Sequence, residues 1–177
     1  MEHHTLNHLG KSPESGWDVY SYGAPNSESL PDTLAIPSEN FVCLLSWKAE
    51  RVSASELSKV AERLLDLGCV YFCCWGPGCE RVHDAIDEVV VGDGATNIAR
   101  LDIMTTWHEE PIAEAVDFFL DHACPAERYL DKCTTALAVV IGNDYDLTSV
   151  ELTIAVKLLQ PPSNPPLQGT RRQAARP

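Results

Sequence analysis

Residues 69–94 read CVYFCCWGPGCERVHDAIDEVVVGDG, and this stretch restricts the chain to one kind of architecture. Cys69 to Trp75 is an apolar run of strand length. Gly76-Pro77-Gly78 turns the chain. Val82, Ala85, Ile86, Val89 and Val90 then recur at spacings of three and four, which is one stripe of a helix. Buried strand, glycine turn and amphipathic helix make half of a βα unit, and the segments on either side repeat it.

Upstream, FVCLLSW at Phe41–Trp47 is apolar almost throughout, as a parallel strand covered on both faces should be. Ser53 and Glu56 form a capping-box pattern before a helix carrying Leu57, Val60, Ala61, Leu64 and Leu65, and Gly68 ends it. Gly92 and Gly94 stop the helix over 79–91. Downstream, ARLDIMT at 99–105 predicts a third strand. Its alternation of Arg100 and Asp102 with Leu101 and Ile103 suits an edge, or a strand with one wetter face. Pro111 fits the first turn of a helix whose stripe is Ile112, Ala115, Val116, Phe119, Leu120 and Ala123. Pro125 breaks it, and 126–132 adds a short helix. The fourth strand is TALAVVI, Thr135–Ile141, closed by Gly142. Thr148 and Glu151 repeat the capping-box pattern, and Leu147, Val150, Ile154, Ala155 and Leu158 continue as the last helix. Four such alternations predict a small three-layer α/β fold, doubly wound and Rossmann-like or flavodoxin-like. It has about four parallel strands with helices on both faces. By analogy with other small doubly wound sheets, the expected strand order is 2-1-3-4.

The domain is expected over residues 40–160, between an irregular lead-in at 1–39 and a tail at 161–177. Within the lead-in, Trp17, Val19, Tyr20 and Tyr22 could pack a short extended piece. The tail holds five of the chain's 12 prolines, three arginines and no acid, and is expected to be disordered. Ten bases then face 26 acids in residues 1–160, a net −16 within a chain of −13. That charge would repel a phosphate backbone or an anionic bilayer, so neither nucleic acid nor membrane is an expected partner. With no secretion signal and no apolar run of membrane-spanning length, the expected compartment is the cytoplasm. Of seven cysteines, Cys43, Cys69, Cys73 and Cys74 lie in strand-like apolar runs and are expected as buried free thiols.

FVCLLSW, CVYFCCWGPGCERVHDAID and MTTWHEEPIAEAVDFF, followed by LAVVIG, together resemble an uncharacterised bacterial α/β domain family of unknown function. The likeness covers roughly residues 17–146. It is most specific around Gly76–Asp84 and Thr105–His108. It implies a small bacterial α/β domain and brings no activity, cofactor or catalytic residue. The tail, PPSNPPLQGTRRQAARP, resembles translated read-through at the end of a mobile gene cassette.

In an open parallel sheet, ligands bind beyond the carboxyl ends of the strands, where strand order reverses. Four loops qualify: Trp47-Lys48, Trp75-Gly76-Pro77-Gly78, Thr105 to Glu109, and Gly142-Asn143-Asp144. The expected ligand-binding residues are Trp75, Gly76, Gly78, Thr105, Thr106 and Trp107. The catalytic candidates are His108, His83 and Thr106. Gly76-Pro77-Gly78 could admit an anionic group to the next helix N-terminus, but it matches no phosphate-loop motif, and a tight turn needing glycine explains it at least as well. Cys79, His83 and Asp87 fan across one helix side without a standard zinc spacing, so no metal site is expected, and no cofactor is implied. His108, beside Glu109 and Glu110, has the neighbours of a general acid or base. The structural alternative has Thr106 or Glu109 capping a helix while Trp107 covers the sheet edge. No nucleophile stands out; Cys79 is the nearest, since a helix N-terminus lowers a thiol pKa. Two readings follow. One is a non-catalytic module binding a partner protein or small ligand at the tryptophan-bearing rim. The other is a small hydrolase using His108 and His83 on a nucleotide-like or small polar substrate. Rings facing one pocket would favour the enzyme, and rings in separate niches the module.

Overall fold

The structure, a computed structural model, describes residues 6–92, 100 and 102–162. Strands form at β1 (Asn7–Lys11), β2 (Asp18–Ala24), β3 (Asn40–Trp47), β4 (Cys69–Trp75), β5 (Met104–His108) and β6 (Cys133–Ile141). Helices form at α1 (Ala54–Asp66), α2 (Cys79–Val91), α3 (Ile112–Asp121), α4 (Glu127–Leu130) and α5 (Asp144–Leu158). One six-stranded sheet runs β1-β2-β6-β3-β4-β5. All pairings are parallel except that of β1 with β2.

The continuous apolar runs divide by strand periodicity into two cores. Phe41, Cys43, Leu45, Phe72, Cys74, Leu137 and Val139 face α1 and α2, meeting Leu57, Leu64, Val82 and Ile86. Val42, Leu44, Cys73, Ala136, Ala138 and Val140 face α3 and α5, meeting Val116, Phe119, Val150 and Ile154. Helices therefore cover both faces, and the class is α/β with three layers.

Four expectations are corrected. Of the four core strands, the order is 4-1-2-3 rather than 2-1-3-4. The reason is burial: β6 is buried along nearly its whole length and lies inside, whereas β5, with Met104 and Trp107 exposed, is the edge. The lead-in is irregular only in part: the extended piece expected around Val19–Tyr22 is β2, a full strand of the sheet, and β1 precedes it. β2 alternates so that Tyr20 and Tyr22 join one core and Val19 the other, and it covers β6, while β1 closes the edge. The third strand begins at Met104, because Asp102 has φ +65° and cannot continue an extended run. The last helix starts at Asp144 under a capping box of Asn143 and Asp146, which leaves Thr148 and Glu151 inside it.

Ser53 does cap α1, accepting from the Glu56 N–H at 3.3 Å, but the Glu56 carboxylate turns to the Ser27 hydroxyl instead of closing a box. All seven cysteines are free, and only Cys124 is exposed. No helix among the described residues is long and apolar enough to cross a membrane. The tail at 163–177, and with it Gly94, Ala99 and Leu101, lies outside the described residues.

Candidate functional site

The loop after β4 is packed onto the loop after β3. The Ala49 N–H donates to the Pro77 carbonyl at 2.8 Å. A Cβ at Gly76 would come within 2.8 Å of the Trp47 carbonyl oxygen, and one at Gly78 within 2.7 Å of the Glu50 nitrogen. Both glycines also hold positive φ, +112° and +83°. The turn thus needs glycine for close backbone approach as well as for conformation. Arg81 completes the join: its guanidinium donates to the carbonyls of Ala49, Glu50 and Val52 at 2.7, 2.8 and 2.9 Å.

On the other side, the Trp75 indole N–H donates to the Glu110 carbonyl at 2.9 Å, tying β4 to the loop after β5. Between these loops lies a cavity of about 530 Å³, lined by Glu50, by Trp75 to Arg81 and by His108 to Glu110. Of the expected site residues, Trp75, Gly76, Gly78 and His108 line it; Thr105, Thr106, Trp107 and His83 do not. Sequence reasoning passed over Glu50, Glu80 and Arg81. The available signal was Arg81 itself, a cation in the first turn of a helix, where the dipole disfavours it unless acceptors compensate.

The two histidines do not share a pocket. Thr105 and Trp107 point to the α2 side of β5. The Thr105 hydroxyl donates to Asp87 at 2.5 Å, and the Trp107 ring, 45% exposed, meets His83 edge-on at 4.6 Å between centroids. His83 is held by Asp84 at 3.1 Å and approaches Asp87 at 3.5 Å. His108 points to the opposite face, packs on Phe118 at 4.6 Å and is only 5% exposed. Its Nδ1 lies 2.6 Å from Glu110 and its Nε2 3.0 Å from the Thr106 hydroxyl. That hydroxyl also donates to the Phe72 carbonyl at 3.3 Å. The hydrogen bond from His108 is the main reason the Glu110 carboxyl is held below its ordinary range.

Nor do the rim tryptophans converge. Trp47 is buried against α1 and α2, Trp75 packs on the α3 side, and Trp107 lies outside the α2 face. Cys79 is not an activated thiol. Burial is the largest cause and pushes its pKa up, and its thiol donates to the His108 carbonyl at 3.4 Å, a bond that only the protonated form makes. Among the described residues, no three His, Cys, Asp or Glu side chains are grouped to hold a metal ion.

Strand order reverses between β3 and β6, and the crevice there is smaller, about 180 Å³. It is lined by Trp47, Lys48, Tyr145 and Asp146 among others, and Lys48 pairs with Asp146 at 2.7 Å within it. A ligand pocket commonly occupies about 300–1,000 Å³, so the β4–β5 cavity is the better candidate.

No curated protein matches the chain. A family model described as a domain of unknown function, DUF7684, matches residues 20–152. That span runs from β2 into α5 and takes in both walls of the cavity, so the chain belongs to the DUF7684 family.

Proposed function

We propose that the protein is a bacterial, cytoplasmic, non-catalytic module that binds a partner protein or small ligand in the rim cavity between residues 75–81 and 108–110. The observation that carries this reading is the cavity, whose walls are fixed by the Arg81 clamp and the Trp75–Glu110 hydrogen bond. Seven free thiols suit a reducing compartment, and the likeness of the motif strings supports a bacterial source.

The lining selects the class of ligand. Glu50, Glu80, Glu109 and Glu110 surround the cavity, and the one guanidinium, that of Arg81, is spent on three carbonyls. Four carboxylates against one guanidinium leave the lining net negative, so an anion would be repelled, which argues against nucleotides, nucleic acid and anionic membranes. A small amine, or a lysine-bearing segment of a partner protein, meets complementary charge, with Trp75 and Pro77 supplying apolar wall.

A thermal-shift and calorimetric screen of polyamines, lysine-containing peptides and nucleotides tests the reading, since a ligand of the folded state raises its apparent stability. Cationic compounds should raise the melting temperature, and Glu109→Gln should weaken them about tenfold, near 1.4 kcal/mol. Stabilisation by nucleotides with none by amines would overturn it.

The hydrolase reading keeps one observation in its favour: hydroxyl, imidazole and carboxylate follow one another at Thr106, His108 and Glu110. It loses His83, which lies across the sheet, and Thr106 lies outside the cavity lining. Ester turnover abolished by His108→Gln in a folded variant would restore it.

A further inference from the structure

The sheet ends on β1 at one side and β5 at the other, each five residues long. A bare edge is a template for another strand, and folded proteins ordinarily blunt it with a bulge, a lysine or a proline. β1 carries two of these devices: its register slips between His8 and Gly10, and it holds Lys11. β5 carries none. Its sequence, MTTWH, has no lysine, acid or proline, and it pairs with β4 in unbroken register from Tyr71–Met104 to Trp75–His108. Among the described residues β4 is its only strand partner. Two large side chains are left in solvent on the same edge, Met104 at 43% and Trp107 at 45% exposure. Strand alternation sets Trp107 with Thr105 on the α2 side and Met104 with Thr106 and His108 on the other.

We propose that β5 accepts, as a seventh strand, an extended segment of a partner protein in which basic and apolar residues alternate. Charge selects the basic half. Helix α2 carries four acids, Glu80, Asp84, Asp87 and Glu88, and its one arginine is turned to the loop after β3. Asp87 reaches β5 through the Thr105 hydroxyl, and His83, held by Asp84, meets the Trp107 ring edge-on. A lysine or arginine on this face of the added strand lies against the Trp107 ring, whose π face attracts a cation, on the side of the sheet where the α2 carboxylates stand. Met104 selects the apolar half, since the alternate residues of the added strand meet it on the opposite face.

The net charge of −13 draws a basic segment in and opposes a second copy of the chain as the occupant. Neither Met104 nor Trp107 lines the rim cavity, so this edge is a second binding surface, independent of the ligand held there.

Fluorescence anisotropy of a labelled short peptide of alternating lysine and valine, titrated with the full chain, tests the proposal. The peptide should bind, and its counterpart of alternating glutamate and valine should not. Two N-methylated forms report whether the backbone pairs. A strand offers its N–H groups alternately to either side, so methylating every lysine backbone nitrogen blocks one edge and methylating every valine nitrogen blocks the other. One form should lose binding while the other keeps it. Trp107→Ala should weaken binding at least about tenfold. Asp84→Lys, at an exposed position, should also weaken it, with circular dichroism unchanged. No binding of the lysine–valine peptide, equal binding by the two methylated forms, or binding indifferent to both substitutions overturns the proposal.

Discussion

His108 shows how a residue's place in the rim differs from its place in the sequence. A histidine leaving a strand end next to two glutamates looks exposed, and on that view His108→Ala should cost little stability. Strand alternation instead turns the ring inward onto Phe118, where Thr106 and Glu110 take its two nitrogens. Glu110 is the titrating partner that reports this contact. Its carboxyl is held below the ordinary value of 4.5, chiefly by the hydrogen bond from His108. A depressed carboxylate contributes stability that is fully present above its unfolded pKa and is lost as pH falls through the lower folded value. Denaturant unfolding from about pH 5 to about pH 3 should therefore lose stability more steeply in the wild type than in Glu110→Gln. Equal slopes would mean that the contact is not formed in solution. The types of these residues were legible in the sequence, but the face each takes was not, because it depends on where β5 starts. Asp102, with its positive φ, decides that start, and nothing in its side chain announces it.

At the scale of elements, the strand–turn–helix unit around Gly76-Pro77-Gly78 was legible because its signals are local: apolar period, turn residues and helical stripe agree. What the turn packs against was not legible, since the loop after β3 lies some 28 residues away in sequence and meets it only through sheet pairing. The close approach makes a sharp prediction. At Gly78→Ala the new Cβ meets the backbone of Glu50 and Ala49 at 2.7 and 2.9 Å, on top of a positive φ. Gly92→Ala shares the positive φ but has nothing within 4 Å. Gly92→Ala should then cost about 1–3 kcal/mol, since its φ of +63° and ψ of −157° lie in a region that essentially only glycine occupies, and Gly78→Ala, strained and blocked by backbone, should cost more, read as the larger fall in melting temperature. Equal losses would show that the two loops are not held together. The start of α5 was misread for a related reason. Two capping patterns compete within nine residues, and the one beside the strand end prevails because Gly142 has already turned the chain.

At the scale of the molecule, the alternation of strands and helices specifies a parallel sheet with two covered faces, yet it leaves strand order open. Order follows from which strands can tolerate an edge, and that argument was available in the sequence: TALAVVI belongs inside and MTTWH outside. The residues before 40 defeat the alternation rule because β1 and β2 form a hairpin with no crossover helix, so they carry no helical period to flag them. Their contribution is nonetheless structural. β2 pairs with β6 along seven residues, Asp18–Ala24 against Thr135–Ile141, and buries Val19, Tyr22 and Ala24. Removing it uncovers the edge of a nine-residue strand, CTTALAVVI, whose backbone donors and acceptors then face solvent beside apolar side chains. Each large side chain exposed in this way costs about 1.5–3 kcal/mol, out of a total stability of about 5–15 kcal/mol for a natural domain. A chain of residues 40–160 should therefore aggregate or unfold at much lower denaturant than one of residues 6–162. The longer chain retains β1 and β2 and should match the full protein. The comparison is read by urea midpoint and by light scattering at matched concentration. A soluble 40–160 chain with the full protein's midpoint would mean that β2 decorates the sheet rather than completing it.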